Sequence, residues 1–266
     1  MQYNRPFFTT LLAVSMAFPI PTLGQDTDTR RLSLENYMDM ESVSNPQISP
    51  NGNQIIYARS WVDKLHDSRK SSLWIIDADG SRNRTLSEGS GARWSPDGTR
   101  VAYTTEGDPR GSQIFVRWMD AEGAKSQITR LDNGPSNLRW SPDGQWIAFT
   151  SRVDDSADFA GVQLPSRPEG ADWTSEPKVV QRAGYKRDRQ GYIDTGWTHL
   201  FVVPAAGGTA RQLTNGEWNH SDIAWSPDGK EIYFSSYRSD DWERPENWQE
   251  SEIYAVNVTT ETIRQL

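Results

Sequence analysis

The chain has 266 residues, enough to bury a large core, and its mean hydropathy of −0.75 excludes a polytopic membrane protein. Lys and Arg number 28 against 36 Asp and Glu, a net charge of −8, which is the wrong sign for a nucleic-acid binder. Aromatic residues reach 11%, too much ring surface for a disordered chain, and the 20 Gly and 15 Pro predict many tight turns.

Residues 1–24 read as a secretory signal peptide. Arg5 gives the positive n-region, Phe7 to Phe18 is uncharged and largely apolar, and Thr22-Leu23-Gly24 offers small residues for cleavage near Gly24. The apolar run is too short for a membrane anchor and is followed by Pro19 and Pro21, so no membrane span is expected after cleavage. With no cysteine there is no disulfide framework, no thiolate nucleophile and no cysteine-based zinc site. The expected location is the periplasm or the exterior. Residues 25–45 form a lead-in, with one short helix expected over Ser33 to Met40 and capped by Ser33.

From there a repeat organises the chain. Ser49-Pro50-Asn51-Gly52, Ser95-Pro96-Asp97-Gly98, Ser141-Pro142-Asp143-Gly144 and Ser226-Pro227-Asp228-Gly229 recur at spacings of 46, 46 and 85 residues, and Trp94, Trp140 and Trp225 precede the last three. Pro presets φ at the second turn position, Asp or Asn bonds the neighbouring backbone, and Gly accepts positive φ at the exit. A second strand follows each turn, marked by Ile55/Tyr57, Val101/Tyr103, Ile147/Phe149 and Ile232/Phe234. Third strands follow in Leu73-Trp74-Ile75-Ile76, Ile114-Phe115-Val116, Leu200-Phe201-Val202-Val203 and Ile253-Tyr254-Ala255-Val256. Fourth strands are expected at Arg84-Thr85-Leu86, Gln127-Ile128-Thr129 and Arg211-Gln212-Leu213-Thr214. Four short strands per period of about 40 to 50 residues predict an all-β propeller, with blades over about 46–88, 92–131, 137–214 and 222–266. A β-sandwich would not require one string at a fixed period.

The repeats resemble the WD-like propeller repeats shared by the translocation protein TolB and by the non-catalytic domain of prolyl oligopeptidase family serine peptidases. Pro165-Ser166-Arg167-Pro168-Glu169-Gly170-Ala171-Asp172-Trp173, Tyr185-Lys186-Arg187-Asp188, Gly191-Tyr192 and Tyr237-Arg238-Ser239-Asp240-Asp241-Trp242 make the chain similar to the acylaminoacyl-peptidase and dipeptidyl-peptidase-like branch. The resemblance implies seven or eight blades followed by an α/β-hydrolase domain, so these four blades are expected to be part of a larger propeller whose hydrolase domain is missing from this chain. The chain reaches Gln265-Leu266 as a fourth strand should finish, the pattern expected of a truncation.

The chemistry of such a peptidase needs Gly-x-Ser-x-Gly, and no such pentapeptide occurs. His66-Asp67-Ser68 is contiguous, but side chains adjacent on an extended segment diverge, so it reads as a solvated loop. No catalytic residue is therefore assigned, and the chain alone is expected to be inactive. Asp77, Asp79, Ser81 and Glu88 match a calcium loop only partly, because Arg82 stands where Gly is needed; no metal or other cofactor is expected. Sequons begin at Asn83, Asn219 and Asn257.

Between Phe149 and Phe201 the second and third strands of blade three are joined by an insertion carrying Lys178, Arg182, Lys186, Arg187 and Arg189. A solvated rim is the plainer account of these charges. As contacts to substrate or to a neighbouring domain the candidates are Lys186, Arg187, Arg189, Trp197 and Trp242, with Trp173, Trp218 and Trp248 as further loop tryptophans. Strand alternation puts the insertion on the face opposite the Ser-Pro-Asp-Gly turns. Two functions stay open: the propeller of an exported serine peptidase that gates short peptides, and a stand-alone TolB-like periplasmic propeller that binds a protein partner.

Overall fold

A computed structural model describes residues 32–120, 122–154, 166, 168–174, 185–188, 191–193, 196–238 and 251–266. The signal-peptide reading, Lys178, Arg182, Arg189, Trp242 and Trp248 lie outside the described residues, and so does the side chain of Arg187. The chain divides into two units, residues 1–40 and 41–266. In the first, helix α1 spans Leu34–Met38. Ser33 caps it as expected: its hydroxyl accepts from the Asn36 N–H at 3.1 Å, and the Asn36 side chain accepts from the Ser33 N–H at 3.1 Å. Among the described residues no helix is long and apolar enough to cross a membrane.

The second unit is four antiparallel four-stranded sheets. Blade one holds β1 (Ser42–Ile48), β2 (Gln54–Asp63), β3 (Ser68–Asp77) and β4 (Arg84–Glu88). Blade two holds β5 (Ser90–Trp94), β6 (Arg100–Glu106), β7 (Ser112–Trp118) and β8 (Lys125–Gln127). Blade three holds β9 (Ser136–Trp140) and β10 (Trp146–Val153). A separate two-stranded hairpin, β11 (Lys186–Arg187) and β12 (Gly191–Tyr192), lies within the insertion, after which β13 (Trp197–Pro204) and β14 (Arg211–Gln212) complete the blade. Blade four holds β15 (His220–Trp225), β16 (Glu231–Ser236), β17 (Glu252–Asn257) and β18 (Ile263–Gln265). These are blades of a β-propeller, and part of one.

One turn, built four times, joins the first two strands of every blade. The Ser49, Ser95, Ser141 and Ser226 hydroxyls are buried, each accepting at 2.9 Å from the N–H that opens the second strand. Each donates to the Asn51, Asp97, Asp143 or Asp228 side chain at 2.5–2.8 Å. That bond, with the backbone N–H groups next to it, holds the three Asp carboxyls below their usual pKa. The closing Gly52, Gly98, Gly144 and Gly229 sit at φ of 67–73°, where only glycine is unstrained.

A second repeated device lies four residues before each Ser. Asn45, Gly91, Asn137 and Asp222 all adopt positive φ, and the ladder of each first strand shifts register there. These are residue types that tolerate the left-handed region, as a bulge requires.

The core lies between blades. Val101 and Tyr103 pack with Ile56, Leu73 and Ile75; Ile147 and Phe149 with Ile114 and Val116; Ile232 and Phe234 with Leu200 and Val202. Each interface is pinned by a tryptophan N–H that crosses to the preceding blade: Trp94 to the Gln47 carbonyl, Trp140 to Arg93 and Trp225 to Arg139, at 3.0–3.2 Å. These tryptophans thus serve interblade packing, as their recurrence implies.

Fourth strands are shorter than expected. β8 ends at Gln127 and β14 at Gln212 because threonine side chains take over the pairing: Thr129 Oγ1 accepts from the Ile114 N–H at 2.9 Å, and Thr214 Oγ1 from the Leu200 N–H at 3.0 Å.

Candidate functional site

The ladder of β10 with β13 runs from Trp146 opposite Pro204, next to the Ser-Pro-Asp-Gly turn, to Val153 opposite Trp197. The insertion therefore leaves from the end of the blade opposite that turn, as strand alternation predicts. In the insertion, β11 and β12 place the Lys186 ammonium 5.7 Å from the Tyr192 ring, with Tyr185 6.0 Å from Tyr192. Lys186, Tyr185 and Tyr192 are exposed, and Arg187 lies opposite Gly191 in this hairpin. Trp173 is exposed as well. Trp197, read from sequence as a loop tryptophan, is instead the first residue of β13 and is buried.

At the same end of blades three and four stands a cluster that sequence reading did not single out. His220 opens β15, and His199 is the third residue of β13; their rings meet edge-on at 5.5 Å, and His220 meets Phe234 at 4.9 Å. The Ser236 hydroxyl donates to the Asn219 carbonyl at 3.1 Å, so at 2.9 Å it accepts from His220 Nδ1–H. That fixes the tautomer and leaves His220 Nε2 an acceptor. Burial, then the nearby Arg238 charge and His199, push the His220 pKa down to about 3. Burial and Arg238 lower that of His199 too.

This His–Ser pair is not a nucleophile and base. Ser236 is buried, its proton is committed to a carbonyl, and the imidazole nitrogen facing it already carries a proton. His66 sits exposed in the turn between β2 and β3, 2.8 Å from Asp63 rather than paired with Ser68. Two bonds, from Lys70 first and then His66, hold the Asp63 carboxyl down to about 2.

The calcium-like stretch borders a cleft of about 450 Å³ on the Ser-Pro-Asn-Gly end of blade one. Arg82 pairs with Asp77 at 3.3 Å, and Asp79 accepts from the Ser81 N–H at 2.8 Å, so both carboxylates are already answered by the protein. Among the described residues no group of three metal-ligating side chains converges.

Comparison with known proteins places this geometry. Residues 162–266, which hold most of the insertion, the last two strands of blade three and blade four, match the dipeptidyl peptidase IV N-terminal region. The uncharacterized peptidase YuxL of Bacillus subtilis is 29% identical over 211 residues, covering 77% of this chain and 31% of that protein. Dipeptidyl-peptidase 5 of Porphyromonas endodontalis is 27% identical over 292 residues, covering 99% of this chain and 40% of that protein. The chain thus spans less than half the length of these relatives. Pyrococcus horikoshii acylaminoacyl peptidase shares the fold with a TM-score of 0.61 at 15% identity, over 86% of this chain and 33% of that one. Four propeller blades, a match to a peptidase N-terminal region over residues 162–266 and two peptidase relatives make the chain similar to the propeller part of prolyl oligopeptidase family peptidases.

Proposed function

We propose that this chain is the non-catalytic propeller of an exported serine peptidase acting on short peptides, and that the propeller governs which substrates reach a hydrolase domain. The observation that carries the reading is the match to a peptidase's N-terminal region over residues 162–266, from within the insertion through blade four, in a sequence that holds no Gly-x-Ser-x-Gly. The loop end of the blades supports it, because exposed Lys186, Tyr185 and Tyr192 stand there on a hairpin able to meet a substrate or a second domain. A propeller so placed selects by access: a folded chain is excluded and a short flexible peptide is admitted.

The test is turnover. The 266-residue polypeptide is incubated with acylated and free-amine dipeptide anilides, beside an intact homologue as control. No aniline release above buffer is expected from the polypeptide; release at a rate comparable with the control overturns the reading. Export is tested by the amino terminus of the secreted protein, expected near Gln25; a mature protein that keeps Met1 in the cytoplasm contradicts it.

A further inference from the structure

We propose that Arg238 is a receptor for a carboxylate group, held at the loop end of blade four in a cradle of Trp218, Phe234 and Tyr254. Its guanidinium carbon lies 5.1, 5.6 and 4.9 Å from those three rings. Nε and Nη2, the two donors that together grip both oxygens of a carboxylate, are buried and have no hydrogen-bond partner among the described residues. Among the described residues no carboxylate forms an ion pair with it. Ring faces stabilise part of a desolvated cation's charge, but they leave two charged N–H donors unanswered, an arrangement that buried polar groups rarely keep.

The rest of the chain shows what such an arginine normally finds. Arg264 uses the same Nε and Nη2 edge on both oxygens of Glu231, at 3.2 and 2.8 Å. Arg59 lies over Trp74 with its Nε on Glu41, and Arg100 lies over Trp140 with its Nη2 on the Gly144 carbonyl at 2.9 Å. Arg238 has the ring contacts of the latter pair without the acceptor. His220 Nε2, in the same cluster, is also buried with no partner among the described residues and is fixed as an acceptor by its tautomer. A donor edge together with a neighbouring acceptor complements the last residue of a peptide, which presents a carboxylate and an amide N–H.

That the carboxylate comes from a peptide rests on the peptidase reading above; the guanidinium geometry does not. The test follows the Arg238 Nε–H resonance in ¹H–¹⁵N spectra of the labelled polypeptide, identified by its loss in R238K. Acetyl-Ala-Phe with a free carboxylate is expected to move it downfield in a saturable way, while the same peptide as its amide leaves it in place. Acetyl-Glu-Phe amide separates the sources. If it also moves the resonance, the receptor accepts any carboxylate; if not, it reads a chain terminus, and either result supports the proposal. R238K keeps the charge but loses the fork and should weaken binding about tenfold, read in both proteins from the indole N–H resonance of the adjacent Trp218. A resonance unmoved by both acids, or moved equally by the neutral amide, overturns the proposal. Because no catalysis is measured, that failure leaves the peptidase reading standing, and anilide turnover by the polypeptide would sink that reading without touching Arg238.

Discussion

The joints between blades and the two outer sheet faces are built from the same residues and meet opposite fates. Leu73, Ile114, Leu200 and Ile253 hold equivalent places in the third strands, opposite Ala58, Thr104, Thr150 and Ser235. The first three are buried against the next blade, and Ile253 is 56% exposed. Leu86, Ile128 and Leu213 are likewise buried, while their counterpart Leu266 is 58% exposed. On the other side Ile48 stands where blades two to four have tryptophan, and it is 67% exposed. Among the described residues the buried clusters follow chain order, blade one to two, two to three and three to four. Strand pattern and turn chemistry therefore make a blade, but burial comes only from a neighbour, as in repeat proteins generally. The outer faces have the composition of interfaces, and among the described residues no blade packs against them.

The largest effect should come from a matched pair of truncations. Ile114→Ala removes a fully buried side chain and should cost about 2–5 kcal/mol, whereas Ile253→Ala should stay within about 0.5 kcal/mol. Urea unfolding of both variants checks this, and equal losses would break the comparison.

Acid should open the joint between blades three and four. The folded-state pKa of His220 is depressed to about 3 from 6.5, so its neutral form favours folding. Its contribution is complete above pH 6.5 and is lost as pH falls from there towards 3, by up to about 1.4 kcal/mol per pH unit. Stability measured from pH 7 to 4 should fall along that slope and flatten in His220→Gln; an unchanged slope in the variant removes His220 as the cause.

Smaller effects should follow at the repeated devices. Asp143→Ala strips the blade-three turn of the acceptor for the Ser141 hydroxyl and the Gln145 N–H, and should cost about 1–2 kcal/mol. Trp140→Phe loses the bond to the Arg93 carbonyl for about 1 kcal/mol. The pair Ile48→Lys and Ile253→Lys should leave stability almost unchanged yet suppress concentration-dependent association in sedimentation runs, because an exposed apolar sheet face is what drives it. Association as strong as in the parent chain would mean that the outer faces are not the contact.

What could be read from sequence was whatever is local. Ser-Pro-Asp-Gly closes a turn with its own side chains, so four copies declare four hairpins without any knowledge of packing. The bulge signal was equally local and was overlooked: Asn45, Gly91, Asn137 and Asp222 stand at one offset from the four serines. Fourth-strand ends depended on Thr129 and Thr214 hydroxyls reaching across to a neighbouring strand, a choice that β-propensity does not encode. Trp197 looked like loop because the insertion separates it from Val153, its partner in the ladder. Arg238 is legible in sequence only as a member of the Tyr237-to-Trp242 run, with nothing local to mark it as a receptor; its character comes from three rings supplied by β16, β17 and the segment before β15.

The central claim, that a bare outer face is an interface lacking its blade, is tested most directly by supplying one. A chain extended by a second copy of residues 220–266 gives Ile253 a following hairpin to pack against. Ile253→Ala is then predicted to become as costly as Ile114→Ala, about 2–5 kcal/mol by urea unfolding. If the substitution remains neutral in the extended chain, Ile253 does not belong to an interblade face and the account is wrong.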